Sequence, residues 1–214
     1  MIEAAQANIV PIILAAGDST RMGYPKALLP LGRNRFLTEI LEKVEGLGLP
    51  PALVILGRDA QRIQPLTANF RARVLINADP GRGQISSIQL GVGHLEPGSS
   101  GCMIWPVDLP AVPADLVGRL ADLFIRSGAR ITMPRCRGRN GHPAIFHSEL
   151  FKPLLSLPIG KGAKELIQSH SRQTNFLETD ELSTIEDVDT PEDYRKLTGE
   201  ALQSALGRTA DGGV

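Results

Sequence analysis

The chain has 214 residues, and its 23 Lys and Arg balance its 23 Asp and Glu, so the formal net charge is zero. This balance gives no overall electrostatic basis for binding nucleic acid or an anionic membrane. The two cysteines, Cys102 and Cys136, form no C-x-x-C pair, so neither a disulfide scaffold nor a zinc site is expected. No apolar stretch approaches the length of a membrane span, and the first residues lack a signal-peptide pattern, so we expect a cytoplasmic protein.

Strand-like and helix-like segments alternate along the chain, which favours an α/β fold with a mostly parallel sheet and helices on both faces. The length suits one domain. We predict that residues 1–204 form this domain and that residues 205–214, rich in Gly and polar residues, are frayed. The predicted strands are Ile9–Leu14, Ala52–Leu56, Arg73–Ile76, Gly101–Val107, Arg130–Met133, Pro143–Phe146 and Thr174–Leu177. The predicted helices are Phe36–Glu45, Asp59–Thr67, Ser86–His94, Pro113–Arg126, Ser148–Leu155, Ala163–His170 and Pro191–Leu197.

The most informative segment is LAAGDSTRMGYPKALLPLG, which runs from Leu14 to Gly32 after the first predicted strand. Its small residues let backbone N–H groups approach an anion closely. Arg21 supplies a fork of donors and Lys26 a point charge, the two common ways of holding phosphate. The segment is neither a Walker A loop nor a dinucleotide fingerprint. Residue chemistry alone favours a phosphate-binding loop and leaves a structural turn as the alternative.

Two acidic segments are candidates for a metal or substrate site. Asp108 ends an apolar strand, and ligands of parallel sheets bind at the carboxyl ends of strands, where Mg²⁺ takes one or two protein carboxylates. The alternative is that Asp108 is a turn residue beside Pro110. Further on, Asp187 and Asp189 would share one face if their segment were a strand. Asp189 could instead cap the helix that follows Thr190.

Two further segments contain candidate binding residues. In NADPGRGQISSI, residues 77–88, a Gln and two serines precede a helix whose N-terminus could face an anion or a base edge, although Ser86 could simply be its N-cap. In RCRGRNGHPAIF, residues 135–146, Asn140-Gly141 predicts a hairpin turn, in which case the nearby arginines are solvated edge residues. His142 is the one candidate functional histidine.

The first loop resembles the signature LAAG-x-S/G-x-R-M-x-x-x-K-x-L-x-x-x-G of nucleotidyltransferases that act on NTPs. The VDLP, GQISSI, R-x-G-H-P-x-x-F and DVDTPED segments are similar to further motifs, so the resemblance spans Leu14 to Tyr194. It is nearest to the molybdenum-cofactor cytidylyltransferase-like branch of the MobA-like NTP transferases. Guanylyl relatives are expected to have LAGG in the first loop and a G-P-L-A-G-like segment in place of GQISSI.

The resemblance implies a Rossmann-like (GT-A-like) three-layer sandwich and transfer of an NMP, with CTP as the expected donor, to a phosphate-bearing acceptor such as molybdopterin cofactor. It implies Mg²⁺ as cofactor and a link to molybdoenzyme maturation partners. The implied catalytic residues are Arg21, Lys26 and Asp108, and the implied metal ligands are Asp108 and Asp189. The implied nucleotide-binding residues are Leu14, Ala15, Ala16, Gly17, Ser19, Arg21, Lys26, Gln84, Ser86 and Ser87. The implied acceptor-binding residues are Gly141, His142, Asp187 and Asp189.

Two other functions remain open on the sequence. A sugar-1-phosphate or methylerythritol-phosphate nucleotidyltransferase would share the first loop and the aspartate at the strand end, but the GQISSI and DVDTPED segments argue against it. A regulatory nucleotide-binding module without catalysis is the other alternative, and the joint presence of Arg21, Lys26 and Asp108 argues against that.

Overall fold

The computed structural model describes residues 8–160 and 162–211. Over these ranges strands and helices alternate as the sequence predicts. The strands are β1 (Ile9–Ala15), β2 (Pro30–Leu31), β3 (Asn34–Arg35), β4 (Ala52–Leu56), β5 (Ala72–Ile76), β6 (Gly101–Pro106), β7 (Ile131–Cys136), β8 (Arg139–Asn140), β9 (Ala144–His147) and β10 (Thr174–Thr179). The α-helices are α1 (Phe36–Gly46), α2 (Ala60–Ile63), α3 (Gln84–Val92), α4 (Ala114–Ser127), α5 (Phe151–Leu155), α6 (Ala163–Ser169), α7 (Pro191–Thr198) and α8 (Leu202–Asp211).

The main sheet has the strand order β10-β7-β9-β6-β1-β4-β5, and β8 pairs with the end of β7. Strand β1 lies between β4 and β6 and is parallel to both, and β4 continues in parallel to β5. Strand β9 runs antiparallel between β6 and β7. The sheet is therefore mainly parallel and mixed, and the predicted α/β class is confirmed. The strands β1, β4 and β6 all end at the same edge.

The side chains of β1 contribute to two core layers, because successive side chains of a strand point to opposite faces of the sheet. Ile9 and Ile13 belong to one buried cluster, which includes apolar residues of α1 and α4. Ile12 and Leu14 belong to a second cluster with residues of α3, α5 and α6. Helices thus cover both faces, as expected for a Rossmann-like three-layer sandwich.

The predicted hairpin turn at Asn140-Gly141 is wrong. The two-residue turn is Arg137-Gly138, since Cys136 pairs with Arg139 across β7 and β8. Both turn residues have positive φ, 51° for Arg137 and 74° for Gly138. A turn of this kind needs positive φ at both central positions. Arg137 adopts the left-handed conformation. The turn therefore lies three positions before the Asn-Gly pair that the sequence pattern favours.

The stretch predicted to be frayed from residue 205 is helical in its described part, where Leu202–Asp211 forms α8. Leu202 and Ala205 are buried in the same cluster as Phe36 and Tyr194. Helix α8 thereby closes one end of the core, and this buried face stabilises a segment whose composition alone suggests fraying. Residues 212–214 lie outside the described residues.

Two helix boundaries differ from the predictions for local reasons. The predicted helix Asp59–Thr67 is α-helical only to Ile63 and continues as a 3₁₀ turn that contains Pro65, since proline lacks the N–H that an α-helix needs. Helix α3 begins at Gln84 with Gly83 as its N-cap, so Ser86 is not the N-cap. Within the part of the chain that the structure describes, no helix is both long and apolar enough to cross a bilayer.

Candidate active site

A cavity of about 290 Å³ opens at the carboxyl ends of β1, β4 and β6. The loop after β1 forms one wall, and the start of α3 and the ends of β4 and β6 form the others. Ligands of α/β sheets bind at this edge. The predicted site residues that line the cavity are Leu14, Ala15, Ala16, Gly17, Ser19, Arg21, Lys26, Gln84, Ser87, Asp108 and Asp189. Four other predicted residues, Ser86, Gly141, His142 and Asp187, are not part of its wall.

The loop after β1 is held in shape by Ser19. Its carbonyl oxygen accepts hydrogen bonds from the backbone N–H groups of Met22 and Gly23, at 3.1 and 3.0 Å. Its hydroxyl accepts a hydrogen bond from the backbone N–H of Lys26, at 3.2 Å. Ser19 has a φ of 49° and Gly23 a φ of 70°, so the loop closes through two left-handed residues. Ser19 therefore fixes where Lys26 leaves the loop.

The side chain of Lys26 lies between two carboxylates. Its Nζ donates to Oδ2 of Asp108 at 2.9 Å and also donates to Oδ1 of Asp189. Arg21 pairs with the other oxygen of Asp189 at 2.8 Å. Only 12% of the Lys26 side chain is exposed, against 69% for Arg21. The two cations therefore neutralise the two carboxylates, with Lys26 enclosed by the site and Arg21 at its mouth.

The neighbouring charges shift the pKa values of these groups. Burial lowers the pKa of Lys26, but the charge of Asp108 and the hydrogen bonds to both carboxylates outweigh it and raise that pKa above its ordinary value. For Asp189, desolvation is opposed by the hydrogen bond and charge of Lys26 and by the charge of Arg21, and the net effect lowers the pKa. Both groups are therefore charged at neutral pH.

Asp189 reaches the site through a backbone contact. The N–H of Val188 donates to the carbonyl oxygen of Asp108 at 3.0 Å, which ties the two acidic segments together. Residues 186–189 form no strand, so the condition under which Asp187 and Asp189 would share a strand face is not met. Thr190, not Asp189, caps α7, because its hydroxyl accepts from the N–H of Asp193 at 3.2 Å. The carboxylate of Asp189 is thus free of capping and is turned to Lys26.

The start of α3 is positioned by Asn77, a residue to which the sequence analysis gives no role. Its side-chain amide donates to the hydroxyls of Ser86 at 2.8 Å and Ser87 at 3.0 Å, and Asn77 is 9% exposed. The hydroxyl of Ser86 also donates to the carbonyl of Gly83 at 2.8 Å. Ser86 therefore supports the loop from behind, while Gln84 and Ser87 face the cavity. The predicted nucleotide contact for Ser86 is not supported by this placement.

Sequence reasoning missed the wall that follows β4. Gly57, Arg58 and Asp59 line the cavity, and Arg58 lies 3.6 Å from Asp18 of the first loop. A Cβ on Gly57 would lie 2.5 Å from the carbonyl oxygen of Ala16, so only glycine allows the two strand ends to approach. The available signal was a glycine directly after a buried strand, which is too common to indicate a site.

Three of the predicted acceptor-binding residues, Gly141, His142 and Asp187, lie outside the cavity wall. Gly141 packs against Thr184, whose carbonyl oxygen would lie 2.8 Å from an added Cβ. The N–H of His142 donates to the same carbonyl oxygen at 2.8 Å. Burial lowers the pKa of His142 while the charge of Asp108 opposes this shift. Desolvation and the charges of Asp108 and Asp189 raise the pKa of Asp187. These effects place His142 and Asp187 in the electrostatic neighbourhood of Asp108.

The carboxylates of Asp108 and Asp189 fit a hard divalent cation. Oδ1 of Asp108 is buried without a hydrogen-bond partner among the described residues, so it has a lone pair free for a ligand. No group of three or more His, Cys, Asp or Glu side chains in residues 8–160 and 162–211 is arranged to hold a metal by itself. Mg²⁺ commonly binds through one or two carboxylates together with phosphate oxygens. The donor set therefore suits a metal that a polyphosphate helps to hold.

Comparison with known families shows the class of protein to which the chain belongs. Residues 11–174 match the MobA-like NTP transferase domain. The chain belongs to this family. Members of the MobA-like NTP transferase family are nucleotidyltransferases, and the match includes the first loop, the start of α3 and Asp108. The expected family and enzyme class are thereby confirmed. Asp189 lies beyond the matched residues.

Individual relatives have several names. A Rhodopirellula baltica protein named "Probable molybdenum cofactor guanylyltransferase" is 32% identical over 136 residues, which are 62% of this chain and 64% of that protein. The chain thus spans slightly less than two thirds of that relative. "Nicotine blue oxidoreductase" of Paenarthrobacter nicotinovorans is 27% identical over 88% of this chain and 96% of its own length.

The crystal structure of Rv0371c from Mycobacterium tuberculosis H37Rv has a TM-score of 0.81 and 28% identity, and covers 91% of this chain and 98% of its own. A second structure of Rv0371c is a complex with manganese, with a TM-score of 0.77 and 27% identity, and covers 91% of this chain and 100% of its own.

Proposed function

We propose that this MobA-like NTP transferase moves CMP from CTP to a small phosphate-bearing acceptor such as molybdopterin cofactor and releases pyrophosphate. The observation that carries the proposal is that Lys26 and Arg21 form ion pairs with Asp108 and Asp189, and that all four residues line the cavity. Cations on a strand-end loop can hold a triphosphate. The names of several relatives, molybdenum cofactor guanylyltransferases, support the class of acceptor.

The proposed reaction needs no general base. A phosphate oxygen of the acceptor attacks the α-phosphorus of the NTP, and the bond between the α-phosphorus and the pyrophosphate oxygen breaks. The acceptor phosphate is already an anion near neutral pH, so the work of the site is positioning and neutralisation of charge. Lys26 and Arg21 would draw the triphosphate to the loop and offset the charge that develops on the leaving pyrophosphate. His142 and Asp187, beside Asp108, are proposed to face the acceptor.

A divalent cation would assist at the same place. Asp108, through its unpartnered Oδ1, and Asp189 would hold the ion, and Mg²⁺ is the ion that we propose. Bound there, it supplies further positive charge to the phosphates. The manganese complex of Rv0371c supports a divalent ion in this class of structure. The protein is proposed to act in the cytoplasm and to supply molybdoenzyme maturation partners.

The choice of CTP depends on Ala16 and on the start of α3. Ala16 lines the cavity, is 5% exposed and belongs to the same buried cluster as Ile85 of α3. Its methyl group leaves less room between β1 and α3 than a glycine would, which favours a pyrimidine over a purine. Gln84 and Ser87 line the same wall and can hydrogen-bond a base edge. A steric difference of this size can favour one nucleotide over another by about 10- to 200-fold in kcat/KM.

The test is pyrophosphate release with each of the four common NTPs, Mg²⁺, and a panel of acceptors. The panel contains molybdopterin cofactor, sugar 1-phosphates and methylerythritol phosphate. We expect turnover with CTP and molybdopterin cofactor. Higher kcat/KM with GTP would overturn the cytidylyl assignment and leave nucleotidyl transfer standing. Turnover with a sugar phosphate or methylerythritol phosphate would show that this compound, and not molybdopterin cofactor, is the acceptor. No pyrophosphate release with any combination of NTP and acceptor would indicate a binding module without catalysis.

A further inference from the structure

We infer that Lys26 is an internal counter-ion that keeps a divalent metal off Asp108 and Asp189 until a polyphosphate binds. The inference rests on the proposed function, because it concerns the metal and the triphosphate of that site. Lys26 is held from both ends: its backbone N–H bonds the hydroxyl of Ser19, and its Nζ bonds both carboxylates. It is the most enclosed of the charged groups in this cluster.

The contacts of Lys26 make it a competitor for the metal. The Nζ lies 2.9 Å from Oδ2 of Asp108 and occupies the space between the two acidic side chains. A metal on the same carboxylate, with metal–oxygen distances of about 2.1 Å, would lie within about 5 Å of the ammonium. Two cations at this distance repel each other, and more strongly beside the enclosed Lys26 side chain, which is 12% exposed, than in bulk water. Metal and lysine therefore compete for the same pair of carboxylates.

The balance of charges in the cluster also disfavours metal binding in the absence of triphosphate. Lys26 and Arg21 already neutralise Asp108 and Asp189, so a divalent ion added to this cluster would leave an excess of positive charge. A triphosphate supplies several negative charges at the cavity mouth. The flexible stem of lysine lets the ammonium turn from a carboxylate to a phosphate oxygen. Oδ2 of Asp108 would then join the unpartnered Oδ1 as a metal ligand.

Two consequences follow for binding. Metal alone binds weakly, and metal and triphosphate each strengthen the binding of the other, since coupling between two ligands is reciprocal. Replacement of Lys26 by a neutral residue of similar length removes the competitor. The variant should therefore bind metal alone more tightly than the natural protein does, by about tenfold or more. An ordinary phosphate-binding lysine would produce no such gain.

The experiment measures Mn²⁺ bound to the whole protein by equilibrium dialysis, without and with inorganic triphosphate. Free triphosphate and its Mn²⁺ complex are equal on both sides of the membrane and are therefore not counted as metal bound to the protein. The variants are Lys26→Met and, should it fold poorly, Lys26→Gln, with Lys152→Met on the exposed surface of α5 as the matched control. Circular dichroism checks the fold of each. We expect tighter Mn²⁺ binding without triphosphate only in the Lys26 variants, and loss of that binding when Asp108→Asn is added. We also expect triphosphate to strengthen Mn²⁺ binding more in the natural protein than in Lys26→Met.

Equal or weaker Mn²⁺ binding by folded Lys26 variants in the absence of triphosphate would overturn the inference. Tighter binding that survives the Asp108→Asn change would also overturn it, because the ion would then lie elsewhere. The readout needs neither CTP nor an acceptor. Failure of the proposed function would appear as absent pyrophosphate release with the Mn²⁺ result unchanged, so the two failures are distinguishable.

Discussion

Asp187 and Asp189 lie two positions apart, yet their surroundings shift their pKa values in opposite directions. Asp189 contacts Lys26 and Arg21, which lower its pKa against the effect of desolvation. Among residues 8–160 and 162–211 no cation forms an ion pair with Asp187, so desolvation and the charges of Asp108 and Asp189 prevail over Lys26 and Arg139 and raise its pKa. A raised pKa in a carboxyl group means that the folded state binds the proton more strongly than the unfolded state does. The charged form of Asp187 therefore costs stability.

The substitution Asp187→Asn should raise the melting temperature at pH 7. The folded-state pKa of Asp187 lies above its ordinary value of 3.8, so the natural protein loses stability as the pH rises through the interval between the two values. Asn stays neutral and avoids this loss. The gain should shrink as the pH falls toward 3.8, which melting curves at a series of pH values would measure.

Asp189→Asn is the matched control for this prediction. The pKa of Asp189 is lowered in the folded state, so its contribution is present above its ordinary value of 3.8 and is lost as the pH falls through the folded-state pKa. This variant should be less stable than the natural protein at pH 7. A lower melting temperature for Asp187→Asn at pH 7 would show that its charge is not a cost.

At the scale of elements, the ends of β1 and β4 must approach closely for the cavity to have its shape. Gly57 lies directly after β4 and packs against the backbone of Ala16, without room for a side chain. The same segment brings Arg58 to Asp18. A close backbone contact thus links the loop after β1 to the neighbouring strand. Stability and binding should both depend on it.

The substitution Gly57→Ala should destabilise the protein by about 1–3 kcal/mol, since the added methyl has to displace backbone. It should also weaken nucleotide binding, because the loop after β1 would move. Urea unfolding measures the first effect and calorimetric titration with nucleotide the second. Gly46→Ala is the control: Gly46 ends α1 with nothing within 4 Å of an added Cβ. Equal stability and affinity in the two variants would contradict this account of Gly57.

The sequence predicts some elements of the site better than others. The first loop, Asp108 and the start of α3 are predictable because small residues, cations and a carboxylate follow strands that are evident from their apolar runs. The wall at Gly57 was not predictable, since its function is to approach Ala16 closely and only the folded backbone shows that contact. Helix α8 escaped prediction for a similar reason, as its stability comes from burial of Leu202 and Ala205.

At the scale of the whole molecule, the site joins segments that are distant along the chain. Lys26 lies 82 positions from Asp108 and 163 from Asp189. The parallel arrangement of β1 and β6 brings Lys26 near Asp108, and the backbone bond from Val188 to Asp108 adds the second acid. The fold class, which the sequence predicts, explains why Lys26 lies near Asp108. The approach of Asp189 depends on a loop contact, which the resemblance of the DVDTPED segment implies but residue chemistry alone does not.

This assembly is proposed to transfer a nucleotidyl group, and Asp108 is proposed to be essential to the transfer. The most direct measurement is Mg²⁺-dependent pyrophosphate release by Asp108→Asn, beside Asp115→Asn, which changes an exposed carboxylate at the start of α4. We expect Asp108→Asn to fold normally by circular dichroism and to lose about 10²-fold or more in kcat, while Asp115→Asn keeps full turnover. A folded Asp108→Asn protein with near-normal Mg²⁺-dependent turnover would contradict the account.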